Sequence, residues 1–396
     1  MATVTSTTTA ATTAATTATT TGTEPIAPAW AARLAYAWNN SPSRAARVAR
    51  RCWDGRGQAL PLVRSDSTSG EVSIAYAGLP VGEINLLQLL EHQRDAVAGP
   101  TAARTRSTVR WRDLEAGRWP DADLVVVGAE AHRTARLPSD RALLAPFRVH
   151  LVVDVAADPQ EQQQRISKRE RWEFRRNRKR SGWTLEEDPS PAALEFFYHR
   201  MHVPTMRLRH GERGRSEQLS VARDAVLRHG TLFFVRQGDQ RVAGALCHRS
   251  DAGTLTTRLL GVLDGDPAHY DSGAFKAVYH LLLEWAGTHG VSQVDLFGTE
   301  ALLSKGIFQW KRKFAPRVVL PPNHFATKRM YLRVVNDTPA VRDFLVANPL
   351  LAQAGAGFEP RYFTDARRPA RLQVSAQCPG LPEPRIVDLD AWLGAS

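Results

Sequence analysis

An aspartate set inside an apolar run, Ser292 to Phe297 (SQVDLF), is the first residue whose surroundings invite chemistry. Asp295 stands between Val294 and Leu296, and a half-buried carboxylate with a raised pKa can act as a general base. The same position equally suits a carboxylate that bonds a nearby backbone group or caps the loop Gly298-Thr299-Glu300. Further on, Lys311 falls within the apolar stripe Ile307, Trp310 and Phe314, on the side a helix would bury. A lysine there either snorkels past its neighbours or is held at the lip of a site to meet negative charge. Lys305, Arg312 and Lys313 flank it, in a chain with seven lysines against 45 arginines. The third feature is Arg165 to Arg180, RISKRERWEFRRNRKR, with nine basic residues in sixteen and only Glu170 and Glu173 opposing them. Inside a folded chain such a segment is a wall facing something polyanionic or strongly hydrated; the bland reading is a solvated face paired with Glu186, Glu187 and Asp188.

The elements that must position these groups follow from periodicity. The basic segment reads as a helix after a strand at Val149 to Val155. A strand at Trp183 to Glu187 and helices at Pro191 to Met201 and Ser216 to Arg228 come next. Thr231 to Arg236 and Arg241 to His248 flank a loop of hairpin length. Strand Thr254 to Val262, a long helix Ser272 to His289 capped by Asp271, and the strand bearing Asp295 make a crossover between parallel strands. Ligands of open α/β sheets bind at the carboxyl ends of such strands. Helix Ala301 to Phe314 then carries Lys311.

The first half is also mixed α/β, with nothing that looks catalytic. Trp30 to Trp53 has helical spacing at Leu34, Trp38 and Val48, broken by the Asn39-Asn40-Ser41-Pro42 turn. Strands follow at Ala59 to Val63, Glu71 to Ala77 and Asp123 to Gly128, with a helix at Ile84 to Ala96. Residues 1–27, almost wholly Thr and Ala at first, read as a disordered leader without the basic start and apolar run of a secretory signal. The expected units are 28–155, 156–335, and a 336–396 extension in which a short helix precedes an irregular tail from Gly355.

Composition sets the outer bounds. At 396 residues the chain can hold two ordinary domains, and 43% hydrophobic with 23% charged residues is typical of a globular protein. A net charge of +12 favours anionic partners. Cys52, Cys247 and Cys378 lie too far apart for a disulfide framework or a zinc site, so no metal is expected and a reducing, cytoplasmic location is. No apolar stretch reaches the roughly 20 residues needed to span a bilayer.

In order, the chain presents Ser167 to Arg176 (SKRERWEFRR), Val242 to Leu246 (VAGAL), Asp295 to Gly298 (DLFG) and Gly306 to Phe314 (GIFQWKRKF). This series resembles the GNAT-type acyltransferases, and within them the FemAB-like branch of aminoacyltransferases and predicted acetyltransferases. The resemblance covers Val149 to Arg317. It implies an α/β mixed-sheet fold of two tandem GNAT-like halves, the second carrying the site and residues 28–155 forming a degenerate first half. It also implies transfer of an acyl group from acyl-CoA or aminoacyl-tRNA to a small-molecule or peptide amine, by direct attack without a covalent enzyme intermediate. By that likeness Asp295 would be the base or a substrate anchor, and Lys311 would stabilise charge near the reacting carbonyl or the donor's phosphates. Tyr270 would donate a proton, and Lys168, Arg171, Arg175, Arg178 and Lys305 would meet the donor's phosphates. One departure stands out. Arg258 to Leu263 (RLLGVL) begins like the family's Q/R-x-x-G-x-G/A pyrophosphate loop but ends in leucine, which favours a tRNA-borne donor. A reading from another class is a nucleic-acid-binding protein that uses helix 165–180 on a non-catalytic scaffold.

Overall fold

Runs such as LVVVGAE and VHLVVD are apolar along nearly their whole length, as strands covered on both faces must be. They are interior strands, each paired on both edges, of two principal mixed sheets in the computed structural model, which describes residues 28–394 apart from 42, 211–216 and 251. The expected leader at 1–27 lies outside the described residues. In chain order the strands begin with β1 (Ala59–Ser67), β2 (Ile74–Gly78), β3 (Thr101–Arg110), β4 (Leu124–Glu130), β5 (Ala142–Pro146) and β6 (Val149–Asp154). There follow β7 (Thr184–Glu187), β8 (Gly230–Gln237), β9 (Gln240–Arg249), β10 (Thr254–Val262) and β11 (Gln293–Thr299). The last five are β12 (Arg317–Val319), β13 (Lys328–Val334), β14 (Leu350–Ala354), β15 (Gly357–Thr364) and β16 (Arg385–Asp388).

The first sheet runs β3-β1-β2-β4-β13-β5 and the second β12-β6-β11-β10-β9-β8-β7. The two repeat one pairing scheme. In the first, two antiparallel pairings lead to a parallel one (β2 with β4), then two more antiparallel pairings. In the second, β8-β9-β10 leads to the parallel pair β10-β11, then to β6 and β12 in the same way. The α/β class with two mixed sheets is as expected.

The unit boundaries at 155 and 335 do not follow the sheets. β6 sits in the second sheet between β11 and β12, while β13 sits in the first between β4 and β5. The halves have exchanged one strand each, at equivalent places, because each central strand needs partners on both edges for its backbone groups. The tail from Gly355 also departs from expectation. β14 and β15 form a hairpin that β16 extends, and Tyr362 and Phe363 are buried there despite the Pro- and Arg-rich context.

Helix limits shift in ways that matter for the site. The long helix spans Ala274–Thr288 and starts at Gly273 (φ +90), not at Asp271. Asp271 instead ends a short helix, Pro267–Asp271, which Asp266 caps. The helix that carries Lys311 is Gly306–Lys311 with a 3-10 turn at Arg312–Phe314, shorter than the Ala301 start expected. At the amino end, Ala29–Asn40 and Arg44–Gly55 form a helical pair.

Candidate functional site

β10 and β11 pair only from Thr254–Thr256 to Gln293–Asp295, while β10 goes on beside β9 to Val262. The parallel strands therefore part at their carboxyl ends. Side chains take over backbone groups on both sides of the opening, one on β11 and two on β10. Thr257 Oγ1 donates to the Asp295 carbonyl at 3.2 Å, His202 Nδ1 to the Leu260 carbonyl at 2.8 Å, and the Val262 N–H donates to Thr205 Oγ1 at 2.9 Å. Gly261 admits the backbone of Met201 and His202, since a Cβ there would lie 2.5 Å from the Met201 carbonyl carbon. Arg258 to Val262 is thus strand, and its glycine serves packing, with no phosphate-cradling turn ahead of a helix.

On its other edge β11 bulges. Asp295 pairs with Val152 and Gly298 with His150, so Leu296 and Phe297 together face the single residue Leu151. The bulge sets Asp295 and Gly298 on the face that carries Val152 and His150. Asp295 Oδ2 bonds His150 Nδ1 at 2.6 Å, and its Oδ1 accepts the Phe297 N–H at 2.8 Å. Both side chains are buried. Phe297 is held at φ +68, a conformation costly for a residue with a Cβ and typical of sites where geometry is imposed. Its ring touches that of His150, with centroids 5.1 Å apart, and lies under the Arg258 guanidinium.

With Nδ1 committed to the carboxylate, the imidazole presents Nε2 toward Gly298. A Cβ at Gly298 would fall 3.2 Å from His150 Nε2 and 3.3 Å from Arg148 Nε. The bare glycine is what leaves room over these two nitrogens. The bond to Asp295 uses Nδ1 alone, so Nε2 is the ring nitrogen on the Gly298 side. An Asp-His pair so arranged fixes the tautomer and leaves a lone pair free to take a proton.

Lys311 is brought to the same place from the far side. It is 3% exposed and does not snorkel: Nζ donates to the carbonyls of Leu296 and, at 3.3 Å, Phe297, clamping the bulge. Burial pushes its ammonium down to about 7, against the pull of Asp295 and with help from Arg148 and Lys305. Glu300, also buried, bonds Lys305 and lies 3.9 Å from Arg148; burial would raise its carboxyl, but these two cations hold it below the usual range. Arg148 is anchored in turn by Asn85 Oδ1 at 3.2 Å, a residue of the first half.

The basic helix, Lys168–Ser181, lies elsewhere and is pinned from beneath. Glu170 is 1% exposed, with Lys313 Nζ at 3.2 Å, Lys276 Nζ at 3.4 Å and His280 Nε2 at 3.8 Å. Burial alone would raise its carboxyl, yet His280, Lys276 and Lys313 hold it at about 2. Thus the SKRERWEFRR and QWKRKF segments are tied by a buried ion pair. Among the expected phosphate contacts, Lys168 and Arg175 are exposed, Arg171 is half-buried, and Arg178 is engaged by Glu284 at 2.9 Å. Arg175, Arg178, Lys179, Phe174, Gln163 and Glu284 line a cavity of about 330 Å³. Tyr270 rests its ring against Phe275 and under Arg209, its hydroxyl buried beside Thr205, one of the side chains on the opened edge of β10.

Among the described residues no cluster of three His, Cys, Asp or Glu side chains could hold a metal ion, and no helix is long and apolar enough to cross a membrane. No family model matches the chain, and no curated protein does. Solved structures similar to it include L-PGS from Bacillus licheniformis, at 12% identity over 77% of this chain and 96% of that one, with a TM-score of 0.34. FemX matches at 10% identity over 72% and 86%, also at 0.34. A GCN5-related N-acetyltransferase from Kribbella flavida matches at 12% identity over 79% and 65%, at 0.23. At such TM-scores no residue role is carried over from them.

Proposed function

We propose that this chain is an N-acyltransferase in which His150, oriented by Asp295, deprotonates the attacking amine. The observation that carries the reading is the buried Asp295–His150 bond of 2.6 Å on a strained bulge, with Nε2 opened by Gly298. An amine held over Gly298 gives its proton to Nε2 while its nitrogen attacks the acyl carbonyl carbon. The tetrahedral intermediate then collapses, the C–S or C–O bond to the carrier breaks, and the leaving thiolate or alkoxide takes a proton. Arg148, beside Nε2, would face the oxyanion. Tyr270 is the candidate proton donor to the leaving group, and Asp295 acts through His150. Lys311 holds the bulge, so its influence on the reacting carbonyl is electrostatic and indirect.

The donor is acyl-CoA or aminoacyl-tRNA, its phosphates met by Lys168, Arg171, Arg175 and Lys305. Because the Val262 N–H is taken by Thr205, the phosphates depend on side-chain cations, which supports the tRNA-borne donor. The test incubates the full chain with acetyl-CoA and, separately, with charged tRNA, each with a panel of primary amines, and follows donor consumption. Turnover of one donor that His150→Gln abolishes is expected. Neither donor bound nor consumed would sink the reading.

A further inference from the structure

Five of the eleven large apolar side chains exposed among the described residues fall between Trp30 and Trp53. Trp30 (62% exposed), Leu34 (62%) and Trp38 (41%) recur every four residues on the outer face of helix Ala29–Asn40. This helix turns its largest side chains outward and buries Ala32, the reverse of an ordinary surface helix. On helix Arg44–Gly55, Val48 (61%) and Trp53 (56%) are also exposed; Arg44, Arg47 and Arg51, all exposed, flank Val48 at i−4, i−1 and i+3, and Arg56 stacks on Trp53. The two helices are locked together. Buried Arg50 donates to the carbonyls of Trp38 and, at 2.9 Å, Ser41, closing the end of the first helix. The stripe is therefore a fixed surface.

We infer that this helical pair docks the protein on an anionic lipid surface. Residues 28–58 carry six arginines against one acid, Asp54, a balance of +5 (6 − 1) that complements an anionic leaflet. Tryptophans bordering a shallow aliphatic face, with arginines beside them, are the side chains that settle at the boundary between headgroups and acyl chains. A second copy fits poorly, since self-association through this face would bring the two arginine rows together. The chain's own first 27 residues hold only Val4 and Ile26 as branched aliphatics and offer little to cover the stripe. Nucleic acid would account for the arginines but not for bare Leu34 and Val48. The inference does not depend on the acyltransferase reading.

Flotation of the full chain with phosphatidylcholine vesicles, with and without about one-third phosphatidylglycerol, tests it. Binding to the anionic vesicles is expected to be ~10-fold tighter or more, and to weaken with salt. The combined variant Trp30→Ser, Leu34→Ser, Trp38→Ser should lose ~10-fold or more even at low salt. Arg44→Gln, Arg47→Gln, Arg51→Gln should erase the preference for phosphatidylglycerol. Both sets lie on the surface, so the parent's melting temperature and any acyl transfer to a soluble amine should be retained. No flotation with anionic vesicles, or flotation that neither set alters, overturns the proposal. So does loss, in the apolar variant, of a dimer or of nucleic-acid binding that the parent shows without vesicle binding.

Discussion

The two halves place a parallel pair at the same point of the same pairing scheme, and only one of them opens. β2 and β4 stay zipped for five residues, Ile74–Gly78 against Leu124–Gly128, with every residue of both strands buried. The closed end is sealed by Gly78 (φ +135) lying against Gly128, while Tyr76 donates to the Leu79 carbonyl at 2.6 Å. β10 and β11 separate after three residues, and β11 bulges where β4 runs straight. Gly128 faces Met330 on the exchanged strand, whereas Gly298 faces His150. A pairing scheme does not make a site. Parting the strands and placing a charged pair on the freed edge does.

The largest expected effect breaks the comparison at its charged end. His150→Gln and Asp295→Asn should each lower kcat/KM by ~10²–10⁴-fold while the protein stays folded, because a general base and its orienting carboxylate act as a unit. Steady-state assay with the accepted donor measures this, and a loss smaller than a few-fold would reduce the dyad to a structural bond. Next comes the zipped end. In Gly78→Ala the new Cβ would lie 2.2 Å from the Gly128 carbonyl oxygen, on a backbone only glycine adopts freely. Stability should fall by about 2–4 kcal/mol in urea unfolding, with activity per folded molecule unchanged. An activity loss that outran the stability loss would mean that the first half does more than scaffold.

How much of this could be read beforehand depends on sequence distance. Asp295 and Lys311 stood out because each violates a local apolar pattern, and the structure brings both to the bulge. His150 was hidden. Its partner is 145 residues away, and a histidine in VHLVVD reads as one polar residue in a buried strand. The available signal was Arg148 two residues earlier, which alternation puts on the same side. Glu170 looked like a minor counter-charge to the basic helix, yet it is the buried anchor of that helix. Periodicity located β6 but not β13, whose run Lys328–Val334 mixes lysine and arginines with its apolar residues, and it said nothing of their exchange, since strand partners at long range leave no periodic trace.

Lys311 offers a subtler contrast, through pH. Its folded value of about 7 lies below the ordinary 10.5. Between those values the unfolded chain holds a proton that the folded chain lacks, so this lysine makes stability rise with pH there. Below pH 7 both states are protonated and the cost of burying the charge is present in full. Lys311→Met should flatten that part of the stability–pH curve, a change of at most about 1.4 kcal/mol per pH unit. The slope reads out titration whatever the variant loses at the carbonyls of Leu296 and Phe297. Identical slopes in parent and variant would mean that Lys311 titrates like a surface lysine.

The smallest effect is the sharpest probe of the opened edge. Gly298→Ala adds a methyl 3.0 Å from His150 Cδ2 and 3.2 Å from Nε2, close enough to require a shift of a few tenths of an ångström. Gly298, unlike Gly78, is not among the positive-φ glycines, so the backbone accepts alanine without strain. The methyl occupies the space in which an amine would meet Nε2. Activity should drop ~10-fold, mostly through KM, while unfolding in urea changes by less than about 1 kcal/mol. Gly78→Ala and Gly298→Ala then form a crossed pair, one costing stability without activity and the other activity without stability. If Gly298→Ala leaves kcat/KM untouched, the amine does not approach over this glycine. His150 would then have to receive its proton from another side, where the ring is covered by Phe297.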